Sequence, residues 1–139
     1  AAFVHDRRLY QVGGLNGNPA GANTPLGDVI SANIRRDGSL GPWTTAGQLD
    51  SAYATHGAFV HGGFVYVAGG VENNRRFTGV VQRAPLRPDG SLGSWEPCEP
   101  LPQARGHVHH LPVVGDVVYS AGGSRNRQVI ADVSLGSLR

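Results

Sequence analysis

Seven consecutive residues of this chain occur twice. Asp37-Gly38-Ser39-Leu40-Gly41-Pro42-Trp43 returns fifty-two positions later as Asp89-Gly90-Ser91-Leu92-Gly93-Ser94-Trp95, with one residue changed. Upstream of each copy lies a second pair of matches. Ala2-Phe3-Val4-His5 recurs as Ala58-Phe59-Val60-His61, and Leu9-Tyr10-Gln11-Val12-Gly13-Gly14 recurs as Val65-Tyr66-Val67-Ala68-Gly69-Gly70. A third, partial copy follows at Val118-Tyr119-Ser120-Ala121-Gly122-Gly123. Self-similarity at a fixed period of roughly fifty residues outranks any local propensity, because it makes the chain a tandem array of one supersecondary unit.

Within the unit the pattern is that of short strands and turns. Residues 1–14 read as two strands around Asp6-Arg7, the second ending at paired glycines, which permit positive φ and close approach of a neighbouring backbone. Residues 15–27 are turn formers almost throughout and read as a long exposed loop. Val29–Ile34 is a third strand, Asp37-Gly38 offers a tight hairpin turn, and Pro42–Thr45 is a short fourth strand. The second unit repeats this: strands at His56–His61, Phe64–Ala68, Val80–Leu86 and Ser94–Cys98, with a polar loop at Glu72–Thr78. The third has strands at Val108–Val114, Val117–Ala121 and Val129–Val133, a short loop at Ser124–Arg127 and no clear fourth strand. Asp132–Leu138 also resembles a decayed copy of the heptad, but that alignment leaves too few residues for strand three. No apolar 3.6-residue period persists, so almost no helix is expected. The reading is all-β: about three four-stranded antiparallel blades over residues 1–49, 50–102 and 103–139, each burying its faces against its neighbours.

Composition agrees. A chain of 139 residues, 40% hydrophobic, suits one domain with a packed core, and its 21 glycines and 9 prolines suit many tight turns. No apolar run is long enough to span a bilayer as a helix. Residues 1–25 lack the regions of a signal peptide. An exported mature chain would lack them too, and an extracellular or periplasmic setting is favoured over a cytoplasmic one. The chain starts inside a repeat, which suggests a processed product or a piece of a longer protein. All twelve basic residues are Arg, the net charge is only +2, and a single cysteine, Cys98, excludes an intrachain disulfide framework.

The chain resembles the kelch-repeat family of β-propellers. The hydrophobic-Tyr-x-x-Gly-Gly second strand appears at Tyr10–Gly14, Tyr66–Gly70 and Tyr119–Gly123, and the fourth-strand Trp at Trp43 and Trp95. Leu101-Pro102-Gln103-Ala104-Arg105 followed by His109 is similar to the family's approach to strand one, with His56 taken as the counterpart of His109. Two departures are the Asp-Gly-Ser-Leu-Gly turn before the Trp and the lack of a Trp in the third unit. The resemblance implies a ring of five to seven blades. The ring would then be completed either by a longer polypeptide or by further copies of this chain as a homo-oligomer. It also implies a binding scaffold for a protein or glycan, with a propeller enzyme such as a sugar oxidase or sialic-acid epimerase as the alternative.

Candidate chemistry concentrates in arginine. Arg75, Arg76, Arg125 and Arg127 fall in the loops between strands two and three. In an antiparallel blade these loops emerge beside the connections between blades, which carry Asp50 and Arg105. Arg75, Arg76, Arg105, Arg125 and Arg127 are therefore expected to hold ligand carboxylates or sugar hydroxyls with their planar donor forks. Arg35, Arg36 and Arg87 lie beside the Asp-Gly turns and read as structural, as do Asp37 and Asp89, whose carboxylates suit bonding to their own turns. His107 and His109 alternate onto one strand face and could together hold zinc or copper, yet no third ligand stands near them in sequence. Cys98 reads as inert, and Trp43 and Trp95 as packing between blades. No cofactor motif, phosphate-binding glycine loop or basic-aromatic stripe appears, so neither a cofactor nor nucleic acid is expected.

Overall fold

Each unit begins where the sequence folds back on itself in two residues. Asp6 and Arg7 both take positive φ (44° and 59°), as do Gly62 and Gly63 (56° and 79°), the geometry that suits the twist of an antiparallel pair. These turns join β1 (Ala2–His5) to β2 (Arg8–Asn16), and β5 (Gly57–His61) to β6 (Phe64–Ala68). The computed structural model describes residues 1–17, 23–73 and 75–139, and among them every regular element is a strand. No helix among them is long and apolar enough to cross a membrane.

Three antiparallel sheets follow one another along the chain. The first has the order β1-β2-β3-β4, with β3 at Thr24–Asn33 and β4 at Thr44–Tyr53. The second has the order β5-β6-β7-β8, with β7 at Val81–Pro85 and β8 at Glu96–Pro97. The third is built from β9 (Val113–Val114), β10 (Val117–Ala121) and β13 (Val133–Ser137), with β10 in the middle. Between β10 and β13 the chain makes a separate small hairpin, β11 (Ser124–Arg125) with β12 (Gln128–Val129).

Several boundaries differ from the sequence expectation. β2 runs past its glycines to Asn16 and pairs Gly14 with Leu26 and Asn16 with Thr24, across a bulge after Val12. Much of the expected 15–27 loop is thus paired ribbon, and its residues 18–22 lie outside those described. β4 occupies Thr44–Tyr53 rather than Pro42–Thr45, so the first unit boundary falls inside it. In the third unit Gln128 and Val129 are taken by the β11–β12 hairpin, and strand three moves on to Val133–Ser137. That segment is a plain strand paired with β10 and not a copy of the heptad turn. Strand one there shortens to Val113–Val114.

The repeated Asp-Gly pair sits inside a wider loop than a two-residue turn. Ile34 bridges Leu40, and Leu86 bridges Leu92. In each loop the Asp carboxylate accepts from the amide and hydroxyl of the Ser two residues on, at 3.0 and 2.7 Å from Asp37 and 2.9 and 2.7 Å from Asp89. These bonds hold both carboxyls below the usual carboxylate range. Arg35 Nη1 donates to the Leu40 carbonyl at 2.6 Å and Arg87 Nη1 to that of Leu92 at 2.9 Å. The loop is a preformed block, copied once.

The sheets stack face to face with the core between them. Tyr10, Val12, Val29, Ala46 and Leu49 of the first sheet meet Val65, Val67, Ala84 and Leu92 of the second. Trp95 packs against this cluster and its indole N–H donates to the Gln48 carbonyl at 2.9 Å. Trp43 has no preceding sheet among the described residues to cover it and is 43% exposed. A smaller cluster, Phe59, Tyr66, Ala68 and Leu111, lies between the second sheet and the third.

The paired glycines are demanded by the chain that crosses them. A Cβ on Gly13 would lie 2.8 Å from the Tyr53 carbonyl and 2.9 Å from His56 Cε1. One on Gly69 would lie 2.7 Å from the Arg105 carbonyl and 3.2 Å from Val108 Cγ2. Both residues also take positive φ, 51° and 65°.

Candidate functional site

The connections between sheets and the loops between second and third strands meet at one end of the stack. Ala54, just after β4, exchanges two backbone hydrogen bonds with Val71, at 3.0 and 2.8 Å. Gly106, entering the third unit, does the same with Ser124, at 2.9 Å each way. Val71 also bridges Phe77, whose ring sits so close over Gly106 that a Cβ there would be 3.0 Å from its edge. The loop carrying Arg75 and Arg76 is thereby set beside the hairpin carrying Arg125 and Arg127.

The five arginines expected to bind ligand are not alike in this setting. Arg75 is exposed at positive φ (60°), its amide bonded to the Glu72 carbonyl. Arg76 lays Nε and Nη2 on Glu72 Oε2 at 3.0 and 2.7 Å. Its side chain is 67% exposed, so this pair adds little stability. Arg125 and Arg127 are exposed on the β11–β12 hairpin, whose turn residues Asn126 and Arg127 both take positive φ (50° and 64°).

Arg105 is a correction to the expectation of an exposed loop residue. It is 0% exposed. Nη2 meets Asp132 Oδ1 at 2.7 Å and Ser134 Oγ at 3.3 Å, Nη1 donates to the Gly122 carbonyl at 3.0 Å, and Nε to that of Gln103 at 3.4 Å. Its fork ties the entry of the third unit to β13 and to the end of β10. Its donors are engaged by these partners within the protein.

A groove of about 540 Å³ lies between Gln103 and the hairpin. Arg125, Asn126 and Gln128 line it together with Asp132, whose carboxylate is held by Arg105. It offers one guanidinium, three primary amides and a carboxylate. Such a set can donate and accept at several points of a polar ligand, with the planar Arg fork suited to a carboxylate or vicinal hydroxyls.

The other candidates resolve more simply. His107 and His109 are exposed, their rings 5.8 Å apart and inclined at 71°. No group of three metal-ligating side chains occurs among the described residues. His56 is fully buried, and its counterpart is Val108 rather than His109: a Cβ on Gly13 meets His56 as one on Gly69 meets Val108. The third unit carries one more residue between this point and its first strand, which misled the alignment. Burial pushes the His56 ring pKa down to about 4. Cys98 is partly buried, and burial raises its thiol.

No protein-family model matches the chain, and no curated protein does. Among solved structures it is similar to that of YjhT, with a TM-score of 0.67 and 20% identity over 88% of this chain. The match spans 43% of the YjhT chain, so this chain covers less than half of that structure's length. At this identity the likeness is one of fold.

Of the groove's polar residues the sequence expectation named Arg125 and not the other four. Asn126-Arg127 repeats Asn74-Arg75 fifty-two residues on, and Asp132-Val133 repeats Asp28-Val29, so the period did give these two a position, whereas Gln103 and Gln128 stand where the second unit has Ser51 and Arg76. A local signal existed, since Asn126 tolerates positive φ and sits between two short polar runs that can pair.

Proposed function

We propose that this chain is a kelch-type β-propeller segment acting as a non-catalytic binding scaffold, its ring completed by further blades of a longer chain or by self-assembly. The ligand is a protein or glycan, taken up at the loop end with Arg125 as the principal anchor. The observation that carries this reading is the polar groove itself, lined by an exposed guanidinium, three amides and a carboxylate that buried Arg105 holds in place. Arg127, Arg75 and Arg76, exposed in the neighbouring loops, add charge that steers a ligand. Loops fixed on a stack of sheets are where binding residues concentrate, and three sheets in register with the repeat support the propeller reading.

The test is a glycan array carrying neutral and acidic oligosaccharides, followed by calorimetry on whatever binds. Arg125→Ala is expected to weaken binding by about tenfold or more, as loss of a charged hydrogen bond demands. Arg75→Ala is expected to act only through charge, with an effect that salt removes. Binding that survives both Arg125→Ala and Gln128→Ala unchanged would exclude this groove.

A further inference from the structure

The loop between second and third strands is closed alike in the second and third units. Val71 bridges Phe77 as Ser124 pairs Val129, and Arg75 and Arg127 each stand two residues before the closing partner. The sequence carries Asn74-Arg75 in one loop and Asn126-Arg127 in the other. Both arginines are exposed and both take positive φ, 60° and 64°. That conformation disfavours a side chain, whereas glycine adopts it freely.

Elsewhere the chain uses that freedom. Arg7 in the turn between β1 and β2, at φ 59°, gives way to Gly63 at φ 79° in the turn between β5 and β6. At the loop end no such exchange occurs, and what both units keep is a guanidinium. A strained conformation held where the turn itself does not need the side chain points to function.

Charge points the same way. The carboxylates beside these arginines are already engaged, Glu72 by Arg76 at 2.7 Å and Asp132 by Arg105 at 2.7 Å. Among the described residues no acidic side chain pairs with Arg75, Arg125 or Arg127. With these three set aside, nine of the twelve arginines remain against ten acidic residues, so the chain's positive balance resides here. The bonds between Gly106 and Ser124, with the Phe77 ring over Gly106, set one loop beside the next. Stacked sheets lie about 10 Å apart, so equivalent arginines of adjacent sheets recur at a spacing of that order. A single sugar residue is too short to reach across it.

We infer that the loop end binds a linear anionic polysaccharide, a polyuronate, laid across the second and third sheets. The groove and Arg125 hold one sugar of it, and Arg127 and Arg75 meet carboxylates of other residues of the same chain. This rests on the groove reading proposed above and names the class of its ligand. Asp132 beside the three amides favours a sugar over an acidic peptide, because an ionised carboxylate only accepts and each sugar ring supplies hydroxyl donors. Contacts made in series by one ligand act through effective concentration, so length is the property this surface selects.

The experiment is calorimetric titration of the whole chain with uronic-acid oligomers of increasing length, at low and moderate salt. Affinity is expected to rise about tenfold or more from the single sugar to the longer oligomers and then to level off. Arg75→Ala and Arg127→Ala are each expected to weaken the long oligomers several-fold at low salt. Each should also lower the slope of log affinity against log salt by about one. Arg36→Ala, which removes an exposed charge beside the Asp37-Gly38 turn, should leave the length dependence unchanged. Length-independent binding that Arg125→Ala abolishes would overturn this inference and leave the groove reading standing. Length dependence that survives both Arg125→Ala and Gln128→Ala would overturn the groove reading and this inference with it. Equal binding of methyl-esterified oligomers would remove the role of charge, and equal binding of polyglutamate would give the surface to an acidic peptide. Either result, or no binding of any uronate, overturns the proposal.

Discussion

Single residues show how closely this stack depends on what crosses its glycines. His56 is 0% exposed, lies against Gly13 on one side and Gly70 on the other, and makes no well-formed hydrogen bond through either ring nitrogen. The Val12 backbone favours its charged form slightly, without reversing the effect of burial. With a folded pKa near 4 against 6.5 in the unfolded chain, the proton binds the unfolded state more tightly. Stability is therefore complete above about pH 6.5, falls as pH drops toward 4, and loses about 3 kcal/mol in all. Urea midpoints between pH 7.5 and 4.5 should trace that slope, and His56→Val, the residue the third unit uses, should flatten it. Arg105→Ala is expected to cost about 3 kcal/mol, the low end for a broken buried pair because half-exposed Asp132 can regain water. Arg105→Lys should recover little, since one ammonium cannot reach Gly122, Ser134 and Asp132 together. Chemical denaturation checks both.

At the scale of the element, the second strand was legible in the second and third units, whereas in the first it runs past its glycines to Asn16. Phe64–Ala68 and Val117–Ala121 stand where the Tyr-x-x-Gly-Gly pattern put them, because alternating apolar residues stopped by positive-φ glycines leave no other reading. The third strand of the last unit was not legible. Val133-Ser-Leu-Gly-Ser137 offers only two large apolar side chains, and both stay about two-thirds exposed, Val133 at 62% and Leu135 at 65%. Val129–Val133 looked more strand-like, but the hairpin around Asn126-Arg127 claims Val129. The glycines allow a matched pair of tests. Gly62 and Gly69 share positive φ, but a Cβ on Gly62 meets nothing within 4 Å, whereas one on Gly69 runs into the Arg105 carbonyl. Gly62→Ala should cost about 1 kcal/mol from φ alone, and Gly69→Ala clearly more, read from denaturant midpoints.

Over the whole molecule, the two tryptophans separate what the repeat dictates from what the neighbouring sheet dictates. They occupy one place in the unit, yet Trp95 is packed and hydrogen-bonded while Trp43 is 43% exposed. Sequence could not distinguish them, because they differ only in that, among the described residues, the first sheet packs on Trp95 and none packs on Trp43. Trp95→Ala is expected to cost about 3 kcal/mol and Trp43→Ala less than about 1, with tryptophan emission blue-shifted only for the former's site. The inequality of the two junctions bears on dynamics as well. Among the described residues, ten buried ones knit the first sheet to the second and four knit the second to the third. Such a gradient sets the order in which a stack frays. Amides of β10 and β13 should exchange with deuterium before those of β2 and β6, and a protease should nick the last thirty or so residues first. The chain carries a firm two-sheet platform and a looser third leaf, so whatever fastens that leaf down would also govern how long the protein survives.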